Sequence, residues 1–249
     1  MWQADFKGYI KMRNGKRCHP LTLLDDHSRY SLCVDAKEDE KYLGTQESFK
    51  QIFEMYGLPE TLLCDNGNPW GTSQSAGYTR FEVWLMELGI LTKHGRIRHP
   101  QTQGKEERFN GTLKKELLKF REFEDIVDAQ KSFNEYRNFY NNERPHHALG
   151  LETPSTRYRS SGRKYSDKIT EWIYKSDVKV RQLKNSGYMT FEGQGYFLSE
   201  ALGGKTVGLI ESKSTDGMFY VLYREFCIAK LDLKERIIIS RRARRWVDG

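Results

Sequence analysis

The sequence lacks the features that mark disulfide-bonded, zinc-binding or membrane proteins. Its four cysteines, Cys18, Cys33, Cys64 and Cys227, stand apart from one another among apolar neighbours, without the paired spacings of a disulfide framework or a zinc site. No apolar run is long enough to span a bilayer, and the first residues contain no apolar segment typical of a signal peptide. We therefore expect buried free thiols in a cytoplasmic protein with no membrane partner.

Charge is unevenly distributed along the 249 residues. Residues 1–150 carry 22 basic and 22 acidic side chains, whereas residues 151–249 carry 19 and 12, so the formal charge of +7 belongs to the second part. The sequence shows no internal repeat and no low-complexity tract. A nearly neutral first part followed by a basic second part indicates a nucleic-acid partner.

The first part has the pattern of an α/β domain with a mixed sheet. Short apolar strands in residues 2–11 and 17–35 predict a three-strand meander, and apolar residues at helical spacing predict helices over 41–56, 80–88 and 124–141. A short strand at 61–64 runs into Asp65-Asn-Gly67, and another covers 90–92. Strands followed by alternating helix and strand are typical of this fold class.

The second part changes to short strands that are separated by Gly and Asp-Gly turns. Six strands between residues 178 and 229, spaced by roughly 8–13 residues, predict a small β-barrel. The domains are therefore expected at 1–158 and 169–249, with a linker at 159–168. The basic cluster Arg241, Arg242, Arg244 and Arg245 near the end of the chain is expected to bind DNA, and a solvated chain end is the alternative.

Residues 99–120 are predicted to form a loop that leads into an amphipathic helix. From Lys105 onward Phe109, Leu113, Leu117 and Phe120 recur at helical spacing, which predicts an amphipathic helix. On its opposite, exposed face we expect Glu107 with Asn110, Gly111 and Lys114. Residues 91–121 contain nine Lys or Arg and three Glu, so this segment is strongly positive. Such a charge is typical of a surface that binds a polyphosphate, although a solvated basic helix has the same composition.

Three acids could converge on a pair of divalent metal ions. Asp5 interrupts the first strand, Asp65 ends a buried strand, and Glu107 lies on the helix that is expected to reach the same edge of the sheet. Phosphodiester chemistry is accelerated by two divalent ions about 4 Å apart, and Mg²⁺ and Mn²⁺ favour carboxylate ligands. Four other acids are weaker candidates for metal ligands. Asp25 and Asp26 sit in a turn, Asp35 begins an acidic run, and Glu106 lies nearer the sheet.

Several motifs in this order resemble the integrase catalytic core of bacterial insertion-sequence transposases, relatives of retroviral integrases. The resemblance covers residues 1 to about 158. It rests on Trp2-Gln-Ala-Asp-Phe-Lys-Gly8, Leu24-Asp-Asp-His-Ser-Arg-Tyr30, Gly57-Leu-Pro59, Cys64-Asp-Asn-Gly67, His99-Pro-Gln-Thr-Gln-Gly-Lys-Glu-Glu-Arg-Phe109 and Tyr140-Asn-Asn-Glu-Arg-Pro-His146.

The resemblance implies an RNase H-like fold in which Asp5, Asp65 and Glu107 form a DDE triad that binds two Mg²⁺, with Mn²⁺ as a substitute. Asp65 and Glu107 are separated by 41 residues, a longer interval than in retroviral integrases but compatible with an inserted loop around 68–79. By the same likeness, residues bordering the DNA would be Gln103, Lys105, Arg108, Lys114 and Lys115.

The last part resembles the SH3-like barrel that follows this core, chiefly through residues 193–198 and 201–209. Such transposases normally carry a helix-turn-helix region that reads the transposon ends, whereas Asp5 is the fifth residue here. We expect that region to be a separate or missing portion, and a fragment, a second reading frame and a degenerate copy all stay open.

The resemblance implies metal-dependent cleavage at transposon ends, followed by strand transfer of the 3′-hydroxyl into target DNA. A bacterial, nucleoid-associated homodimer or higher oligomer on DNA would perform it, because two ends need two active sites. Two alternatives stay open: an RNase H-like nuclease without joining activity, and an inactive truncated copy that regulates by binding DNA.

Overall fold

A computed structural model describes residues 1–67, 69–71, 77–95 and 104–247. Contacts divide the chain into two compact units, the first made of Met1–Asp65 with His94–Tyr165 and the second of Asn66–Lys93 with Ser166–Gly249. The units are therefore not continuous in sequence, because residues 66–93 cluster with the last third of the chain. The domain limits expected from the sequence, at 158 and 169, stay a prediction.

The first unit is built on a mixed sheet. Its strands are β1 (Trp2–Phe6), β2 (Ile10–Lys11), β3 (Arg17–Asp25), β4 (Ser31–Lys37) and β5 (Thr61–Cys64), and β6 (Leu91–His94) spans the division between the units. Within the unit the order is β2-β3-β1-β5, with β4 paired to β3. Since β1 is antiparallel to β3 and parallel to β5, it lies at the centre and brings the ends of β1 and β5 to one edge.

Among the described residues, five α-helices accompany the strands. They are α1 (Tyr42–Tyr56), α2 (Arg80–Glu87, in the second unit), α3 (Gly104–Leu113), α4 (Ile126–Asn142) and α5 (Pro154–Arg157). The side chain of Asp125 caps α4 by accepting from the backbone N–H groups of Val127 and Asp128. Gly57 ends α1 with φ of 77°, where a Cβ would lie 2.6 Å from the carbonyl oxygen of Ser161, so that only glycine fits.

Packing between α3 and α4 fixes the helix that carries the predicted acid. Phe109 and Leu113 of α3 join Phe133, Tyr136 and Tyr140 of α4 in one buried cluster. The rings of Phe109 and Tyr140 meet edge to face, with centroids 4.8 Å apart. This apolar contact determines which side of α3 is turned toward the sheet.

The second unit is an antiparallel β structure. Its strands are β7 (Lys179–Gln182), β8 (Tyr188–Phe191), β9 (Gln194–Phe197), β10 (Thr206–Glu211), β11 (Met218–Tyr223), β12 (Phe226–Asp232) and β13 (Ile237–Arg245). Five of them form a sheet in the order β13-β12-β11-β10-β7, and β8 pairs with β9 in a separate hairpin. Alternate residues such as Phe219 and Val221 face the core, to which Val83 and Met86 of α2 also contribute.

Most predicted elements are confirmed: the meander, the helices at 41–56, 80–88 and 124–141, the strand at 61–64 and the six short strands of the second part. All four cysteines are buried free thiols, as expected. None of the helices in the described ranges combines the length and apolar character needed to cross a membrane.

The predicted helix over 105–120 is wrong in its second half. After Leu113 the chain forms a π-helix over Lys114–Leu118, in which the N–H of Lys119 donates to the carbonyl of Lys114 at 3.0 Å. The wider turn shifts the phase of the apolar stripe. Phe120 is consequently 82% exposed instead of buried.

The second unit also corrects one expectation. The antiparallel prediction is confirmed, but the described strands form an open five-stranded sheet and a hairpin, not a closed barrel. Residues 241–245 of the basic cluster complete edge strand β13, and their binding to DNA stays a prediction. Strand alternation turns Arg242 and Arg244 to solvent while Ala243 packs against the core, and cations on an edge strand discourage pairing with further strands.

Candidate active site

Asp5 lies in the central strand with its carboxyl group half-buried. It stands opposite Thr22 of β3, and one carboxyl oxygen accepts a hydrogen bond of 2.9 Å from Asn110 Nδ2 on α3. The Thr22 hydroxyl is 3.1 Å from the Asp5 carbonyl oxygen and 3.4 Å from Asn110 Oδ1, so it can donate to either. These contacts hold the Asp5 carboxyl group between the sheet and α3.

Asp65 follows the neighbouring parallel strand, and its side chain is exposed. Because β5 pairs in parallel with β1, through Trp2 with Leu62 and Gln3 with Leu63, the two acids emerge at the same edge of the sheet. The carbonyl oxygen of Asp65 accepts a hydrogen bond of 2.8 Å from His94 Nδ1, which requires the proton to be on that nitrogen.

The Asp5 carboxyl group is harder to ionise than an ordinary aspartate. Burial, and then the negative charge of Asp65, raise its pKa to about 6, while Lys7 and the backbone N–H of Phe6 act in the opposite direction. The two acids therefore repel each other when both are ionised. A cation between them would relieve that repulsion, so this pair fits a divalent metal ion by charge and by ligand type.

The two neighbouring glutamates on α3 point in different directions. Glu107 is exposed, as predicted, whereas Glu106 is only 2% exposed and faces the sheet. Burial and the charge of Asp5 raise the pKa of Glu106 to about 8, although Thr22 partly offsets this rise. Neither carboxyl oxygen of Glu106 has a well-aligned hydrogen-bond partner in the described structure.

The structure brings together two of the three predicted acids. Asp5 and Asp65 interact electrostatically, but Glu107 does not complete a set with them: within the described ranges no three His, Cys, Asp or Glu side chains lie close enough to hold a metal ion. The triad of Asp5, Asp65 and Glu107 stays a prediction.

The predicted DNA-binding residues of the first unit fall into two groups. Lys105 forms an ion pair within the unit, because its ammonium group lies 2.8 Å from a carboxylate oxygen of Asp26. Arg108, Lys114 and Lys115 are exposed. Gln103 lies outside the described residues.

The predicted DNA-binding arginines of β13 also differ, since some are exposed and one is held by contacts within the second unit. Arg242 and Arg244 are exposed, and Arg242 donates to Asn66 Oδ1 at 2.9 Å. Arg245 forms an ion pair with Glu225 and donates to the carbonyl of Gly89 at 2.9 Å, so it serves the fold of this unit. The side chain of Arg241 lies outside the described part.

Sequence reasoning misplaced Asn110, which was expected on the exposed face and is 3% exposed. The signal was available in the helical wheel. Each residue advances about 100°, so Glu106, Phe109, Asn110 and Leu113 share one arc of roughly 100°. Polar residues within an apolar arc indicate a buried polar contact, and here that contact is made with Asp5.

Known families match most of the chain, residues 1–154 and 178–238. Two integrase core domain families match residues 1–100 and 88–154, and the C-terminal domain of IS481 family transposases matches residues 178–238. The three matches follow one another in the order that the sequence motifs indicated.

Relatives among curated proteins include insertion-element products. A protein of insertion element IS407 from Burkholderia multivorans is 26% identical over 155 residues, which are 62% of this chain and 53% of that protein. A protein of insertion element IS476 from Xanthomonas euvesicatoria is 30% identical over 159 residues, covering 62% and 42%. The chain thus spans about half the length of the curated relatives that it matches.

A solved structure supports the fold. The simian T-cell lymphotropic virus intasome in complex with PP2A regulatory subunit B56 gamma matches 100% of this chain and 78% of its own chain, at 19% identity and a TM-score of 0.50. At this identity the likeness concerns the fold alone. The RNase H-like architecture predicted for the first part is confirmed.

Proposed function

Because the chain belongs to the insertion-sequence transposases with an integrase core, we propose that it is a Mg²⁺-dependent DNA transposase. It cleaves DNA at the ends of its element and joins the resulting 3′-hydroxyl to target DNA. The observation that carries this proposal is the convergence of Asp5 and Asp65 at one edge of the sheet, where the charge of Asp65 helps to raise the pKa of Asp5.

Asp5, Asp65 and Glu107 would hold two divalent ions, Mg²⁺ or Mn²⁺. Bound there, the ions supply Lewis-acid stabilisation of the attacking and leaving oxygens of a phosphodiester. The chain's own task is to present the carboxylates. Asn110 fixes the orientation of Asp5, and Glu107, exposed on α3, is free of the buried cluster that immobilises Phe109.

The exposed cations beside this site would bind the DNA backbone. Arg108, Lys114 and Lys115 follow Glu107 within eight residues and are solvent-accessible. Contacts of this kind position a phosphate without reading the sequence.

The reaction has two transfers. A water attacks the phosphodiester at the element end, which leaves a 3′-hydroxyl. That hydroxyl then displaces a phosphodiester oxygen of the target in a second transfer without a covalent enzyme intermediate.

Two ends must be joined in one event, so the active form is a dimer or a larger assembly on DNA. A helix-turn-helix portion, separate from the residues described, would supply recognition of the element ends. Such an assembly works at the bacterial nucleoid in the cytoplasm.

The test is a joining assay with purified protein, a labelled duplex that carries the terminal sequence of the element, and an unlabelled target. The native chain should give joined products with Mg²⁺ or Mn²⁺ and none with a chelator. Asp65→Asn and Glu107→Gln should abolish joining while the control Asp39→Asn, which removes a half-exposed carboxylate that contacts Lys41, retains it. Joining that survives either active-site substitution refutes the proposal, and cutting without joining indicates a nuclease.

A second function is supported by the exposed Arg242 and Arg244 of β13, which could bind DNA without a metal ion. An inactive copy that regulates by binding DNA would not need a metal-binding group. It predicts salt-sensitive DNA binding that is indifferent to Asp5→Ala and to chelators, with no joined product under any condition.

A further inference from the structure

The second unit carries an open groove of about 450 Å³ on the outer side of its sheet. Its walls come from the segment before β7, from the turn that follows β10 and from the end of β13. The residues that matter to its chemistry are Lys175, Ile210, Lys213, Tyr220, Arg244 and Trp246. A volume of this size falls within the range of sites for small organic ligands, roughly 300–1,000 Å³.

Two aromatic rings form an apolar surface in this groove. Tyr220 and Trp246 lie with ring centroids 5.0 Å apart and planes at 50°. Tyr220 stands on the outer face of β11, because its neighbours Phe219 and Val221 are buried in the core. The backbone N–H of Trp246 donates to the carbonyl of Glu225 at 2.7 Å, which fixes the chain where the indole enters the groove.

Cations surround these rings. Lys230 is paired with Tyr220 across the strands, and its ammonium group lies 4.9 Å from the ring centroid. Lys175, Lys213 and Arg244 line the groove itself. Two carboxylates, Asp177 and Glu211, also line it, so the groove offers acceptors as well as positive charge.

These groups together match one kind of ligand. An acidic peptide would meet Asp177 and Glu211 as like charges, and a purely apolar ligand would gain nothing from the cations that line the groove. A nucleotide has a planar face for the rings, a phosphate for the cations, and amino or imino groups that can donate to the carboxylates. In a duplex the base faces are covered by stacking, so only an unpaired nucleotide can present all three.

We propose that this groove binds an unpaired nucleotide of single-stranded DNA. The base stacks on Tyr220 and Trp246, and the adjoining phosphate contacts Arg244. The inference rests on the proposed action on DNA and deepens it, since joining one strand of an element end produces branched DNA with an unpaired flank. The groove gives the second unit a preference for such branched or frayed DNA over intact duplex.

The experiment measures binding of the full chain to two fluorescein-labelled probes, a 12-nucleotide strand of mixed sequence and a 12-base-pair duplex containing the same sequence. Trp246→Leu and Tyr220→Leu should each weaken binding of the single strand about tenfold and binding of the duplex less than about twofold, because one stacked base is lost. The control is Tyr188→Leu, an exposed aromatic of the same unit that is paired with Phe197 outside the groove. It should leave both affinities unchanged.

A second measurement does not depend on variants that fold. A single strand containing 5-iodouracil, irradiated with the native chain, should crosslink to the peptide that contains Trp246 or the one that contains Tyr220. Equal losses for both probes, no loss in either groove variant, or crosslinks only elsewhere would overturn the inference. If the native chain binds duplex but not the single strand, the groove assignment fails alone, because the joining assay with Asp65→Asn decides the proposed function separately.

Discussion

The two units use charge in opposite ways. In the first, the carboxyl groups of Asp5 and Glu106 are taken out of water, and their pKa values rise to about 6 and about 8. In the second, Arg242 and Arg244 stand in solvent on an edge strand, and Lys230 lies over an aromatic ring. The difference shows that the first unit concentrates charge effects on a few fixed atoms, whereas the second spreads positive charge over a surface.

That contrast suits the two tasks proposed above, metal-ion binding by the first unit and DNA binding by the second. Binding metal ions for chemistry needs a few ligands in fixed positions, which the hydrogen bond from Asn110 to Asp5 provides. Binding a long polyanion needs many accessible cations and little geometric precision, because phosphates recur along the strand. Substitutions in the first unit should therefore have large, site-specific effects, and those in the second should have small, salt-dependent effects.

The largest expected effect comes from the buried glutamate. Since the pKa of Glu106 is higher in the folded than in the unfolded chain, the folded state holds its proton more tightly. The contribution of this group to the free energy of unfolding is therefore greatest at low pH and falls as the pH rises from 4.5 to about 8. Glu106→Gln should be more stable than the native chain at pH 9, on the order of 3 kcal/mol, and similar to it near pH 5.

Urea unfolding of both proteins at pH 5 and pH 9 measures this difference. Glu107→Gln is the matched control, because it makes the same substitution at the exposed neighbouring position. A stability gap that is equal at the two pH values would contradict the assignment of a buried, protonated carboxyl group.

The next effect concerns the residue that positions Asp5. Asn110→Ala removes the donor to the Asp5 carboxyl group and should weaken Mn²⁺ binding by about 10–100-fold, as is usual for groups that orient a metal ligand. Calorimetric titration with Mn²⁺ measures it. Asn142→Ala, on the exposed side of α4, should have no effect; equal affinities for all three proteins would show that Asn110 has no positioning role.

A smaller effect follows from the protonation of Asp5. Metal ions compete with the proton, so Mn²⁺ affinity should fall about tenfold per pH unit below the pKa of about 6 and become level above it. Titrations between pH 4.5 and pH 7.5 test this, and the decrease should disappear in Asp5→Asn. A flat profile for the native chain would contradict the raised pKa.

The smallest effects belong to the second unit. Arg242→Gln and Arg244→Gln should each weaken duplex binding a few-fold and lower the slope of log affinity against log salt by about one. Arg13→Gln, in the first unit, removes a cation already paired with Glu122 and Glu124 and should change neither quantity. A loss that does not vary with salt would mean that these arginines act through the fold.

Short sequence patterns predicted the features that depend only on neighbouring residues. The strand at 61–64 and the position of Asp65 at its end follow from an apolar run that stops at Asn-Gly, and α4 follows from its apolar spacing. The exposure of Glu107 and the burial of Glu106 follow from the helical period. These features need no knowledge of distant residues.

Three features could not be predicted in this way. The helical wheel places Asn110 in the buried arc of α3, but it does not identify Asp5, 105 residues away in β1, as the hydrogen-bond partner. The π-helix over Lys114–Leu118 results from a shift in backbone hydrogen bonds that side-chain periodicity does not record. Strand β13 was hidden because a run of arginines masks the alternation between its two faces.

The proposed function depends on Asp5, Asp65 and Glu107 acting as one binding site for two divalent ions. Counting bound Mn²⁺ by the loss of the free-ion signal in electron paramagnetic resonance, with a DNA end present, tests it directly. We predict two Mn²⁺ per chain that are displaced by Mg²⁺, and at most one in Asp65→Asn and in Glu107→Gln. The same number of ions in the native chain and in both variants would contradict the claim.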